Sequence, residues 1–189
     1  MTMTIEQKKK SIKQCDIHFL KGEQFKTNII SVVLRIPLTK QNATKTALLA
    51  EVLKNGCKQY PSRKAVCQKM DDMMGSVFDI SIIKKGKEQI LFFYLETVKH
   101  EKELLEQAFT FLQNMLLYPL QEGKGFPKKI VEIEKEILAE KIKSRQDDKK
   151  EYSKIRCLEE MCKKNTFGIF ADGYVEDLKE IDEMILLMH

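Results

Sequence analysis

Few side chains in this sequence have the types and spacing that catalysis or metal binding requires. The five cysteines, Cys15, Cys57, Cys67, Cys157 and Cys162, are odd in number, irregularly spaced and form no C-x-x-C pair. A Cys/His zinc site needs ligands in closer pairs, and the three histidines, His18, His100 and His189, are scattered along the chain. Free cysteine usually behaves as a small core hydrophobe, so reduced, mostly buried thiols are expected. No glycine-rich phosphate loop and no Ser/His/Asp arrangement can be found. His18 falls in a strand-like segment without a nucleophile near it in sequence and reads as structural, and Met70, Met73 and Met74 read as core or interface filler. A hydrolase with a newly built site would need a nucleophile activated by a base, and neither is apparent.

Charge and hydropathy narrow the classes further. With 43% hydrophobic and 32% charged residues over 189 positions, the chain can bury a core as one domain. Its net charge of +5 is dispersed, because lysines alternate with acids along most segments. The densest basic cluster, Lys8, Lys9 and Lys10, has no aromatic platform and no arginine fork beside it, which argues against nucleic-acid binding. The longest wholly apolar run, residues 90–95, is far shorter than the ~20 residues that span a bilayer. No signal-peptide stretch opens the sequence, so a cytoplasmic location without membrane attachment is expected.

The elements that must position any site follow from periodicity. Ile30, Val32, Leu34 and Ile36 alternate with Ser31, Val33 and Arg35 until Pro37, as in a strand with a buried face, and a shorter strand is expected over residues 16–20. Between residues 44 and 55 the period changes to that of a helix, with Leu48, Leu49, Val52 and Leu53 on one stripe and Gly56 just past the end. A second helix is expected over residues 63–74, closed by Gly75. Residues 76–83 and 89–98 read as a hairpin joined through Lys84, Lys85, Gly86 and Lys87. Leu104, Leu105, Ala108, Phe109, Leu112, Met115 and Leu116 recur at helical spacing up to Pro119, and charged helices are expected over residues 127–146 and 152–164. This order favours an α+β fold, an antiparallel sheet covered by helices on one face.

Placed in that order, several segments resemble the insulinase, pitrilysin and mitochondrial processing peptidase family. Residues 47–57, ALLAEVLKNGC, resemble the helix that carries the inverzincin H-x-x-E-H motif in HFLEHMLFKGT, sharing Leu49, Leu53 and Gly56. Ahead of it stand FKT at residues 25–27 and the pair Pro37 and Leu38. Beyond it, VEIEKEILAEKI at residues 131–142 is similar to the family's FEKEKKVVLEEI helix. Asp147, Asp148 and Tyr152 follow where relatives carry DDP and an aromatic, and Phe167, Gly168 and Gly173 where relatives carry PYG and a later glycine. The resemblance covers about residues 25–183 and is nearest to the inactive member found beside an active sister in firmicute bacteria.

The resemblance implies which chemistry is missing. In H-x-x-E-H two histidines one turn apart hold zinc, the glutamate polarises bound water, and a distant glutamate completes the ligands. Here the histidine positions are Ala47 and Glu51, the general-base position is Ala50, and the distal ligand position is Lys141. No metal, no cofactor and no catalysis are therefore expected. The acid that relatives keep two turns before the distal ligand survives as Glu134, on the same helix face as Lys141. Glu51 and Lys141 could pair with each other across the helices, with Glu134 sharing the bridge, or each could enter a separate solvated ion pair.

Family architecture also implies a role. Relatives enclose peptides between two similar halves with zinc in one only, so an inactive chain is expected to pair with an active zinc-bearing sister subunit in a heterodimer. Together they would grip an extended peptide along sheet edges. The alternative is a binding or scaffold protein that assists maturation or modification of another protein without proteolysis. Residues 1–189 are expected to form a single insulinase-like N-terminal domain, without the closing strands and second domain of relatives. Sheet edges left open in that way favour association.

Overall fold

The structure is a computed structural model that describes residues 6–13, 15–99, 102–163 and 165–189; the expectations that involve His100 and Lys164 lie outside those residues. Two strands, β1 (Glu6–Ile12) and β2 (Cys15–Lys21), form a separate antiparallel hairpin whose residues are almost all exposed. The expected strand over residues 16–20 is therefore present, but it pairs with β1 and stands apart from the main sheet. EQKKKSI has no apolar alternation to reveal β1 as a strand.

The main sheet has three antiparallel strands, β3 (Thr27–Pro37), β4 (Val77–Lys85) and β5 (Glu88–Val98), in the order β3-β5-β4. A two-residue turn, Gly86–Lys87, closes the β4–β5 hairpin with Lys85 opposite Glu88. Gly86 sits at φ +61° in its first central position, as type II′ hairpins require. Strand alternation divides the sheet into two faces. Leu91, Phe93 and Leu95 of β5, with Ile80 of β4, are buried on one, whereas Ile29, Val33, Val77 and Ile83 are exposed on the other.

Among the described residues, helices cover the first face. They are α1 (Lys40–Leu53), α2 (Arg63–Asp72), α3 (Lys102–Leu117), α4 (Lys128–Lys143), α5 (Lys149–Met161) and α6 (Glu183–Met188). Side chains start several of them. Thr39 accepts from the Asn42 N–H at α1, Ser62 from Ala65 at α2, and Asp148 from Lys150 and Glu151 at α5. Such caps satisfy N–H groups that the first helical turn leaves without partners. The second helix ends at Asp72, short of the expected residue 74, because Met74 and Gly75 both turn to positive φ. The helix expected over residues 127–146 is α4 followed by a 3-10 turn at Ser144–Gln146.

Leu48 of α1, Phe93 of β5, Phe111 and Met115 of α3, and Val131 and Leu138 of α4 share one core. Phe111 meets Phe78 edge to face, with ring centroids 5.0 Å apart. Met70 and Met73 are in this core, but Met74 is exposed. The expectation of mostly buried thiols is corrected: Cys57 alone is buried, Cys162 is half-buried, and Cys15, Cys67 and Cys157 are exposed. Cys15 belongs to the separate hairpin, and Cys67 and Cys157 lie on outward helix faces.

After α5 the chain returns across the start of α1. Gln89, wholly buried on β5, donates from Nε2 to the carbonyls of Ala43 (3.0 Å) and Ala171 (2.6 Å). Thr44 Oγ1 donates to Asp177 Oδ2 at 2.6 Å and accepts from the Tyr174 N–H at 3.1 Å. Close approach at this crossing needs Gly173, which has φ +74° and where a Cβ would overlap Thr44. Gly173→Ala should lower the urea midpoint, with a cost above the ~1 kcal/mol typical of placing alanine at positive φ. At Gly86 an added Cβ meets nothing within 4 Å, so Gly86→Ala should cost only that conformational part. Equal losses in the two variants would show that the crossing is loose.

Candidate functional site

The positions that the family comparison singles out lie on α1 and α4, which pack against each other. Ala47 and Ala50 face inward from α1, at 3% and 1% exposure, and both belong to the core. Their methyl groups occupy protein interior and offer no donor atom to a ligand. Glu51, one position further, has its carboxylate bound by Lys54 at 3.1 Å. The same Lys54 ammonium reaches Asp79 Oδ1 on β4 at 3.3 Å. Asp79 alternates with the core-facing Phe78 and Ile80, so its side chain is on the open sheet face while α1 is on the covered one. Lys54 thus reaches around the edge of β4.

Lys141 is near the C-terminal end of α4, with its ammonium 3.2 Å from Asp172 Oδ1 and its side chain half exposed. A Glu51–Lys141 bridge is therefore absent, and the two side chains sit in separate ion pairs instead. The cause is local: Lys54 is one turn from Glu51 on the same helix, and the segment returning over α1 brings Asp172 to Lys141. Arg145, just beyond, stacks its guanidinium 3.1 Å from the Phe170 ring centroid and donates to the Gly173 carbonyl at 3.1 Å.

Glu134 does not share a bridge with Lys141 either; it holds a different junction. Its Oε1 accepts from Asn55 Nδ2 at 2.9 Å and from Arg63 Nη2 at 3.1 Å, while the residue is only 2% exposed. Asn55 also donates to the Glu51 carbonyl at 3.0 Å. One buried carboxylate thereby joins the end of α1, the start of α2 and the middle of α4. Periodicity gave no sign of these partners. Asn55 read as a helix end and Arg63 as a helix start, and only their spatial convergence on Glu134 gives them a role.

Zinc does not fit these residues. Two of the four expected ligand or base positions are buried methyls, the third is a carboxylate paired with Lys54, and the fourth is an ammonium. A cation placed beside Lys141 would be repelled, and loss of three ligands is beyond what relaxed geometry repairs. Among the described residues, no cluster of three His, Cys, Asp or Glu side chains could hold a metal.

Double-mutant cycles followed by urea unfolding should separate these contacts. Arg63→Ala with Glu134→Gln should couple by about 1–3 kcal/mol, because charged partners of a buried carboxylate depend on each other. Glu51→Ala with Lys141→Ala should be additive within about 0.5 kcal/mol. Coupling in the second cycle, or none in the first, would contradict the geometry.

Comparison with known proteins fits this arrangement. No family model matches the chain. It is 32% identical over 169 residues to the probable inactive metalloprotease YmfF of Bacillus subtilis, a match covering 87% of this chain and 40% of that protein. A conserved protein from Enterococcus faecalis superimposes with a TM-score of 0.85 at 22% identity, over 92% of this chain and 42% of its own. The peptidase M16 inactive domain from Pseudomonas fluorescens superimposes with a TM-score of 0.74 at 13% identity, over 97% and 42%. The chain spans about two fifths of the length of these relatives. The chain is thus similar in sequence to a probable inactive metalloprotease and shares the fold of an M16 inactive domain.

Proposed function

We propose that this chain is a non-catalytic subunit that grips extended peptides beside an active zinc-bearing sister peptidase. What supports the reading is the site itself: at the positions where the resemblance implies ligands and base, Ala47 and Ala50 are buried and Glu51 and Lys141 are each held in an ion pair. In this reading residues 1–189 contribute the N-terminal domain. Hydrolysis then belongs to the sister subunit in a cytoplasmic heterodimer.

What remains useful without zinc is the sheet. In the order β3-β5-β4, β4 has a strand neighbour on one side only among the described residues, and Lys54 links its edge to α1. An extended peptide can add to such an edge through main-chain hydrogen bonds. The helices leave the other sheet face open, and Val77 and Ile83 of β4, exposed on it, provide apolar surface beside the side chains of the bound peptide.

A scaffold that assists maturation of another protein without any peptidase partner is the second reading, and the same open sheet face would serve it. Purification of the tagged protein from its native cells distinguishes them. The subunit reading expects a stoichiometric zinc peptidase in the complex, with peptide hydrolysis that disappears when the sister's zinc is chelated. Recovery of a stoichiometric partner that is not a peptidase would overturn it in favour of the scaffold.

A further inference from the structure

We propose that the free edge of β4 selects extended peptides whose acidic residues lie at the end next to the Gly86–Lys87 turn. This rests on the peptide-gripping reading above and names the class of peptide gripped.

Charge differs between the two ends of the strand. Near the start of β4, Asp79 and Glu51 share the single ammonium of Lys54, which leaves one negative charge. At the far end, Lys85 and Lys87 are exposed and neither forms an ion pair among the described residues. Glu88, the acid nearest to them in sequence, is already engaged by Arg35 through two bonds of 2.9 and 2.6 Å. Lys84, beside them, gives its ammonium to the carbonyls of Phe167 and Ile169 and lies over the Phe167 ring, so no carboxylate neutralises it there.

Asp79 and Lys85 are six residues apart, roughly 20 Å along a strand. That exceeds the Debye length of about 8 Å at physiological salt, so the two ends act on a bound peptide independently. Between them the open side of the strand carries Ser81 and Ile83; Ile83 is 46% exposed and is paired with Ile90 of β5 behind it, and Val77, 54% exposed, precedes Asp79 on the same face. A strand beside β4 would place alternate side chains on that face. Antiparallel addition, the more stable pairing, puts the peptide's N-terminal residues beside Lys85 and Lys87. The complementary ligand therefore has acids at its N-terminal end, followed by residues with β-branched side chains at alternate positions.

Fluorescence anisotropy on the full chain tests this with two acetylated, C-terminally labelled peptides, Glu-Glu-Thr-Val-Thr-Val-Thr-Val and its Lys-Lys counterpart. The Glu-Glu peptide should bind about three- to tenfold more tightly at low salt, as expected for two exposed charge pairs, and the difference should shrink as salt is raised. The exposed double variant Lys85→Glu with Lys87→Glu should reverse the preference, and N-methylation of alternate peptide amides should abolish binding of either peptide. Equal binding of the two peptides, or preference for Lys-Lys, would overturn acid selection and leave peptide gripping standing. Binding of neither would overturn gripping itself. Dimerisation through β4 that excludes both peptides would assign the edge to a second copy of the chain instead.

Discussion

The buried carboxylate of Glu134 is the interaction on which the arrangement of the helices depends. A charge at 2% exposure is tolerated only when hydrogen-bonded and paired. Asn55 and Arg63 meet that requirement at Oε1, drawing the end of α1 and the start of α2 onto α4, while the buried Oε2 has no hydrogen-bond partner among the described residues. Arg63 keeps roughly half of its side chain in water, so its own desolvation is small, while the carboxylate gains a charge-assisted partner. Buried pairs of this kind give more to register than to net stability. Here the register is that of α1 and α2 against α4.

A second set of contacts completes the arrangement from the opposite end of α1. Gln89, Thr44, Arg145 and Lys141 each bind the segment between Phe170 and Asp177, so the chain after α5 is held against both α1 and α4. Lys141 therefore has a role despite being the wrong residue for a ligand: it fixes that segment through Asp172. Glu51 and Lys141, the charged groups at the expected ligand positions, are each held in an ion pair, and α1 is joined to α4 through Glu134.

Much of the fold was legible in the sequence because local rules dominate there. Alternation over residues 30–36, the glycine-closed α1 and the 3.6 periodicity of α3 each pointed to one element, and the structure has them. β1 was not legible, since a strand of lysines and polar residues has no apolar period to read. The exposed thiols were missed because cysteine burial depends on which helix face meets the core. At the site, the order of segments along the chain singled out Ala47, Ala50, Glu51 and Lys141 on two helices, and the structure packs those two helices together. The partners of Glu51, Lys141 and Glu134 could not be named, because Lys54, Asp172, Asn55 and Arg63 acquire their roles from tertiary proximity. Lys54, only three residues from Glu51 on the same helix, was the one competitor that i,i+3 spacing could have revealed.

The most direct test of the account is the zinc content of the purified chain, measured by emission spectrometry together with its thermal midpoint in excess zinc and in chelator. A helix pair held by Glu134, Asn55 and Arg63 predicts no stoichiometric zinc and the same midpoint in both conditions. One zinc per chain, with a midpoint raised by zinc as specific binding to the native state requires, would mean that Ala47, Ala50, Glu51 and Lys141 are not the positions of the lost site.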